Sequence, residues 1–233
     1  MIQMTRLLLG LVLAISTSVL ANAQDDKKIE GWGAVVDPDS DCTIEHKEGR
    51  LTITVPGTPH NLNERISGLN APRVLQKLEG DFTVQVKVTG EFKPDPESNV
   101  LPRGLAFNGG GLLIWQDAQN FIRLERNVWI TGDGLSACYP PLFEHVQDGQ
   151  GQPTNPPPTL FSDFFNGDST WFRLERKQDA ISASYSHDGK EWTQVKTIPV
   201  RLAKSVSVGV AAINTSKKPF QATFSELQVG RGE

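Results

Sequence analysis

The stretch Asp81-Phe82-Thr83-Val84-Gln85-Val86-Lys87-Val88 decides the fold class. Phe82, Val84, Val86 and Val88 fall on one face and Thr83, Gln85 and Lys87 on the other. Alternation with period two, rich in β-branched residues, is the mark of a half-buried strand. Working outward, Arg50-Leu51-Thr52-Ile53-Thr54-Val55 repeats the pattern and stops at Pro56-Gly57. The signal returns at residues 112–116, 121–127, 171–176, 181–186, 206–212 and 220–229. Turn chemistry separates these runs: Asp117-Ala118-Gln119-Asn120, His187-Asp188-Gly189-Lys190 and Asn214-Thr215-Ser216-Lys217-Lys218-Pro219. No window carries convincing 3.6-residue apolar spacing. The expectation is an all-β chain folded as a two-sheet antiparallel β-sandwich or jelly roll.

The amino-terminal residues read as an export signal. Arg6 precedes the apolar run from Leu7 to Ile15, and Ala21-Asn22-Ala23 supplies an A-x-A cleavage site. A membrane anchor needs about 20 apolar residues, and Ser16, Thr17 and Ser18 interrupt this run too early. Residues 1–23 are therefore expected to be removed, leaving residues 24–233 as one domain in a secreted or periplasmic setting. Net charge is −4 over 233 residues, which lacks the basic footprint of a nucleic-acid binder. Two polar stretches break the strand pattern, at residues 90–104 and 149–168. The second joins Pro153, Pro156, Pro157 and Pro158 to Phe161, Phe164 and Phe165, and loops of this length are usually functional or disordered.

Cys42 and Cys138 are the two cysteines. In an oxidising compartment an even count favours a disulfide. Closing a loop of roughly a hundred residues would contribute about 4–5 kcal/mol in the chain-entropy picture. No C-x-x-C or H-x-x-x-H spacing marks a metal site. Asp37-Pro38-Asp39-Ser40-Asp41 resembles the opening of a calcium loop with Glu48 at its twelfth position, but Cys42 stands where that loop needs glycine. An acidic surface turn is the expected reading, with no cofactor beyond this residual case for calcium.

The segments Pro56-Gly57-Thr58-Pro59-His60-Asn61-Leu62, Asn70-Ala71-Pro72-Arg73-Val74 and Gly111-Leu112-Leu113-Ile114-Trp115-Gln116-Asp117 carry a resemblance. So do Tyr185-Ser186-His187-Asp188-Gly189-Lys190-Glu191-Trp192 and two echoing strands, Phe121-Ile122-Arg123-Leu124-Glu125-Arg126 and Trp171-Phe172-Arg173-Leu174-Glu175-Arg176. Together they resemble a bacterial family of secreted concanavalin A-like domains of unknown function. Its members are sometimes described as regulation-of-enolase-like, and their fold is similar to the C-terminal β-sandwich of β-xylosidases. The resemblance spans about Gly31 to Val229 and implies a lectin-like sandwich with an association to sugars. It implies no activity, and fold alone does not assign one.

Alternation in the echoing strands puts Ile122, Leu124, Phe172 and Leu174 in the core. The opposite face then carries Phe121, Arg123, Glu125 and Asn127 from one strand and Trp171, Arg173 and Glu175 from the other. Read as equivalent strands of one sheet, they form a candidate glycan-binding face, where rings stack on a pyranose and charged groups bond its hydroxyls. The competing reading is a solvated ladder of cross-strand ion pairs. His60 is either a hydrogen-bonding group at a groove end or a loop histidine that ties down the chain. Trp192 is expected to pack inward. No Glu-x-Asp-x-Glu strand, G-x-S-x-G elbow, P-loop or H-E-x-x-H motif occurs. The arginines beside Glu125 and Glu175 should keep both ionised, unlike a general acid. The reading is a non-catalytic glycan-binding module. A glycan-processing enzyme and an envelope structural protein, docking through the Phe161, Phe164 and Phe165 region, are the alternatives.

Overall fold

A computed structural model describes residues 27–64, 68–95, 105–153, 159–160 and 167–232. The expected leader and the three phenylalanines of the Pro-rich stretch lie outside these residues. The described residues form 17 strands and no helix. They are β1 (Lys28–Ile29), β2 (Gly33–Val36), β3 (Thr43–Lys47), β4 (Arg50–Val55), β5 (Arg73–Glu79), β6 (Phe82–Gly90), β7 (Phe107–Asp117), β8 (Asn120–Ile130) and β9 (Ser136–Cys138). Then come β10 (Leu142–Gln147), β11 (Gln150–Pro153), β12 (Thr159–Leu160), β13 (Ser169–Lys177), β14 (Ala180–Ser186), β15 (Thr193–Pro199), β16 (Ser205–Asn214) and β17 (Phe220–Arg231).

Two antiparallel sheets form the sandwich. The ten-stranded sheet runs β1-β2-β5-β16-β7-β8-β10-β11, with β9 beside β8 and β12 beside β9. The seven-stranded sheet runs β15-β14-β13-β6-β17-β4-β3. Their inner faces share one core. Phe82, Val84, Val86 and Val88 of β6, Leu51, Ile53 and Val55 of β4, and Phe172 and Leu174 of β13 enter it from one side. Leu112 and Ile114 of β7, Ile122 and Leu124 of β8, and Val206, Val208 and Val210 of β16 enter from the other. The period-two assignments hold at each of these positions, because burying apolar area is what drives the two faces together.

The outer faces differ. On β6 of the seven-stranded sheet the outward residues are Thr83, Gln85 and Lys87, alternating with buried positions from Phe82 to Val88. On the ten-stranded sheet, β8 is buried at nearly every position. A second apolar cluster explains this: Leu113, Phe121, Val146, Ala211 and Ile213 point outward and are roofed by Leu62 and Ala71, with Leu69 and Trp115 packed alongside. The roof is built from the described residues 56–64 and 68–72. It is stitched to the end of β16, His60 N donating to Asn214 O at 2.8 Å and Asn214 N to His60 O at 3.1 Å. Gly57 allows the close approach, since a Cβ there would fall on the Lys217 carbonyl oxygen.

Candidate functional site

The outer face of β8 carries a charged row inside this roofed layer. Register sets Arg123 opposite Glu144 of β10, and Glu125 opposite Gly111 of β7. Arg123 Nε donates to Glu144 Oε2 at 2.6 Å, and Nη1 to Glu125 Oε2 at 3.5 Å. Gly109 leaves the space that Glu125 occupies, a Cβ there lying 3.0 Å from Oε2. Burial pushes the Glu125 carboxyl up to about 7; Arg123 opposes the shift and Glu144 adds to it. Burial alone would lower Arg123, but the Glu125 and Glu144 carboxylates carry it above its ordinary value. The expectation that Arg123 keeps Glu125 ionised is thus corrected. Glu125 is 1% exposed, and desolvation outweighs the single long contact with the guanidinium.

Next to this row lies a cavity of about 250 Å³. Phe121, Glu144 and Val146 form its floor, Leu62, Asn63, Glu64 and Leu69 its roof, and Ala118, Gly149 and Gly151 its rim. Trp115 stacks on Phe121 with ring centroids 5.2 Å apart. The Arg73 guanidinium sits 4.5 Å over the Trp115 ring and donates through Nη1 to Leu69 O and Ala71 O, binding the roof to the sheet. Burial lowers Arg73 to about 10. Arg73 and Glu144 were not among the residues expected from sequence. Their shared face follows only from the pairing of β5, β7, β8, β10 and β16.

The other half of the expected surface is elsewhere. β13 belongs to the seven-stranded sheet, between β6 and β14, so Trp171, Arg173 and Glu175 point away from the core on the opposite side of the sandwich from Phe121, Arg123 and Glu125. The single composite face does not form. The echo between the two strands reflects like positions in two facing sheets, not in one. Trp171 is already engaged: Nε1 donates to Glu226 Oε2 at 3.2 Å, Lys87 Nζ lies 4.3 Å over its ring, and Gly189 packs against the indole. Arg173 donates twice to Gln85 Oε1 and stacks 3.7 Å over Trp192. Trp192 therefore packs on the outer face, not inward, because the Arg173 guanidinium that it stacks against points outward from β13. Glu175 pairs with Lys177 at 2.8 Å.

His60 lies apart from both faces' charged rows and is buried among the loops at the end of the sandwich. Its Nε2 is 2.8 Å from Asp41 Oδ1 and 3.6 Å from Asp39 Oδ2, and its Nδ1 donates to Thr58 O at 3.0 Å. Asn70 completes the tie, donating to Asp39 Oδ2 and Pro59 O. The expected disulfide is not present. Cys42 sits before β3, at the edge of the seven-stranded sheet, while Cys138 lies on β9 beside β8 in the other sheet, with several strands between. Burial, reinforced by Asp37 and Asp41, pushes the Cys42 thiol up. A twelve-residue calcium loop is not formed either. Residues 43–47 extend as β3 and carry Glu48 to the far hairpin.

Comparison with known proteins agrees with this architecture. Residues 159–231 match the model of DUF1349, a family described as protein of unknown function. No curated protein matches the sequence. Among solved structures, a functionally unknown protein from Saccharomyces cerevisiae is similar at 16% identity and TM-score 0.65, covering 87% of this chain and 97% of that one. A xylan β-1,4-xylosidase from Bacillus halodurans is similar at 15% identity and TM-score 0.53, covering 84% of this chain and 39% of the enzyme. An alginate lyase from Klebsiella pneumoniae is similar at 11% identity and TM-score 0.53, covering 89% and 98%. No described helix is long and apolar enough to cross a membrane. At these identities the likeness is one of fold: a two-sheet β-sandwich shared with a yeast protein of unknown role and with two glycan-active enzymes.

Proposed function

We propose that the chain is an exported, non-catalytic carbohydrate-binding module that takes a single sugar unit or chain end in the cavity over β8 and β10. The observation that carries this reading is the pairing of apolar and hydrogen-bonding walls at the scale of one ring. Leu62, Leu69, Val146 and Phe121 offer apolar surface, while Glu144, Glu64 and Asn63 offer acceptors and an amide to hydroxyl groups. Glu144 is fixed in place by Arg123, so its acceptor is preorganised. At about 250 Å³ the cavity is just below the range of roughly 300–1,000 Å³ usual for ligand sites, which fits one ring and not a polymer groove.

A glycan-processing role draws on one observation, the raised carboxyl of Glu125. Yet Glu125 stands behind Arg123, almost fully buried, whereas an acid must reach the bond it protonates. Glu144, which does face the cavity, is paired with a guanidinium. The binding reading is therefore the stronger. Its test is a glycan array followed by calorimetry of wild type, Glu144→Gln and Ala118→Trp. Ala118 is an exposed rim residue, so the tryptophan should close the mouth without touching the core. Both variants should lose at least about tenfold in affinity, which is roughly 1.4 kcal/mol. A blank array, or unchanged affinity in Ala118→Trp, overturns the assignment.

A further inference from the structure

The loop cluster at the end of the sandwich gathers unlike donors. Asp41, Cys42 and His60 each present a ligand atom, and these atoms lie within 4.8 Å of one another. Two of the residues are adjacent in the chain and the third comes from the roof segment 18 positions later, a spacing that no short motif displays. His60 Nδ1 faces the Thr58 carbonyl oxygen at 3.0 Å, so that nitrogen carries the proton. The ring then turns Nε2 toward Asp41 Oδ1 at 2.8 Å and Asp39 Oδ2 at 3.6 Å. Nε2 donates to Asp41 Oδ1 when it carries a proton, and offers the same position a lone pair for a metal ion when it does not. Asp37 adds a third carboxylate. One of its oxygens accepts from Cys42 N at 3.0 Å, and the other is buried with no hydrogen-bond partner.

We propose that Asp41, Cys42 and His60 form a binding site for a divalent transition-metal ion of the zinc class, with Asp39 as the nearest further oxygen donor. The donor set of imidazole nitrogen, thiol sulfur and carboxylate oxygen selects zinc-like ions over calcium or magnesium, which take oxygen alone. The Nδ1–H to carbonyl bond is the orienting partner that metal-bound histidines use. Side-chain exposures of 42% and 45% at Asp41 and Asp39 give the ion a route in, whereas the His60 side chain is 1% exposed. The metal joins the β2–β3 loop to the roof of the sugar cavity.

The test uses the full chain stripped with a chelator and titrated with zinc against a chromophoric competitor, with cobalt(II) as the spectroscopic probe. One equivalent of zinc should bind, and cobalt should give the near-ultraviolet absorption of a thiolate ligand. His60→Ala removes a buried ring and risks unfolding, so Cys42→Ser and Asp41→Asn carry the test, with circular dichroism confirming the fold. Cys42→Ser should abolish the thiolate band and weaken zinc at least tenfold, and Asp41→Asn should also weaken zinc. Cys138→Ser should behave as wild type. The proposal is overturned if folded protein binds no stoichiometric zinc, if Cys42→Ser binds like wild type, or if calcium binds and zinc does not.

Discussion

Glu125 shows how a single carboxyl can set a pH dependence. Its folded-state value, raised from 4.5 to about 7 chiefly by burial, means that the folded chain holds the proton across a window where the unfolded chain has lost it. The sign follows from linkage: stability is greatest below about 4.5, falls as pH rises toward 7, and levels off above it. The loss from this group is on the order of 3 kcal/mol at one unit per roughly 1.4 kcal/mol. Glu125→Gln keeps the shape and an acceptor for Arg123, so its stability should vary much less between pH 5 and pH 7.5. Urea denaturation of both proteins at the two pH values checks this. A wild type as stable at pH 7.5 as at pH 5, with no difference from the variant, would refute the shift. In sequence, the arginine two positions away pointed to an ionised carboxylate. Neighbours along a strand are readable, but Glu125 loses water through the pairing of β8 with β7 and β10, against Gly109 and beneath Arg123, and only the tertiary fold sets that pairing.

At the level of elements, alternation assigned the inside and outside of β8 and β13 correctly, since Ile122, Leu124, Phe172 and Leu174 are all fully buried. What alternation cannot assign is the sheet. β8 pairs with β7, β9 and β10, all close to it in sequence, whereas β13 pairs with β14 and with β6, some eighty residues back. A period of two is the same in either sheet, so the echo between the strands was silent on which neighbours each would find. The β7–β8 contact is unusually close at Gly111, where a Cβ would fall on the Leu124 carbonyl oxygen. Gly111→Ala must push the two central strands apart, and overpacking of this kind costs about 1–3 kcal/mol. Gly49→Ala, at the β3–β4 turn with open space around it but φ +75°, tests backbone strain alone and should cost about 1 kcal/mol. Thermal melts compare the two. If Gly111→Ala is as stable as wild type, the close pairing of β7 and β8 is wrong.

On the scale of the whole molecule, the sandwich has one outer face turned to solvent and one roofed by its own chain, and the expected face is divided between them. The sandwich class was legible because strand periodicity and turn chemistry are local. The site was legible only in part: Phe121 and Arg123 lie at the cavity or beside it, while Trp171, Arg173 and Glu175 are on the far side. Trp171 then becomes a structural residue. Its indole bonds Glu226, carries the Lys87 ammonium over its ring and supports Gly189 in the hairpin. Truncation should leave sugar affinity unchanged, because no cavity residue touches it. It should also lower stability, by about 0.5–1 kcal/mol for the cation–π contact together with the lost hydrogen bond and packing. The measurement pairs calorimetry of Trp171→Ala, against whichever sugar wild type binds, with a melt of the same sample. If Trp171→Ala abolishes binding while Ala118→Trp preserves it, the sugar site belongs on the seven-stranded face. The opposite pattern assigns it to the roofed cavity, where Glu144 and Phe121 converge.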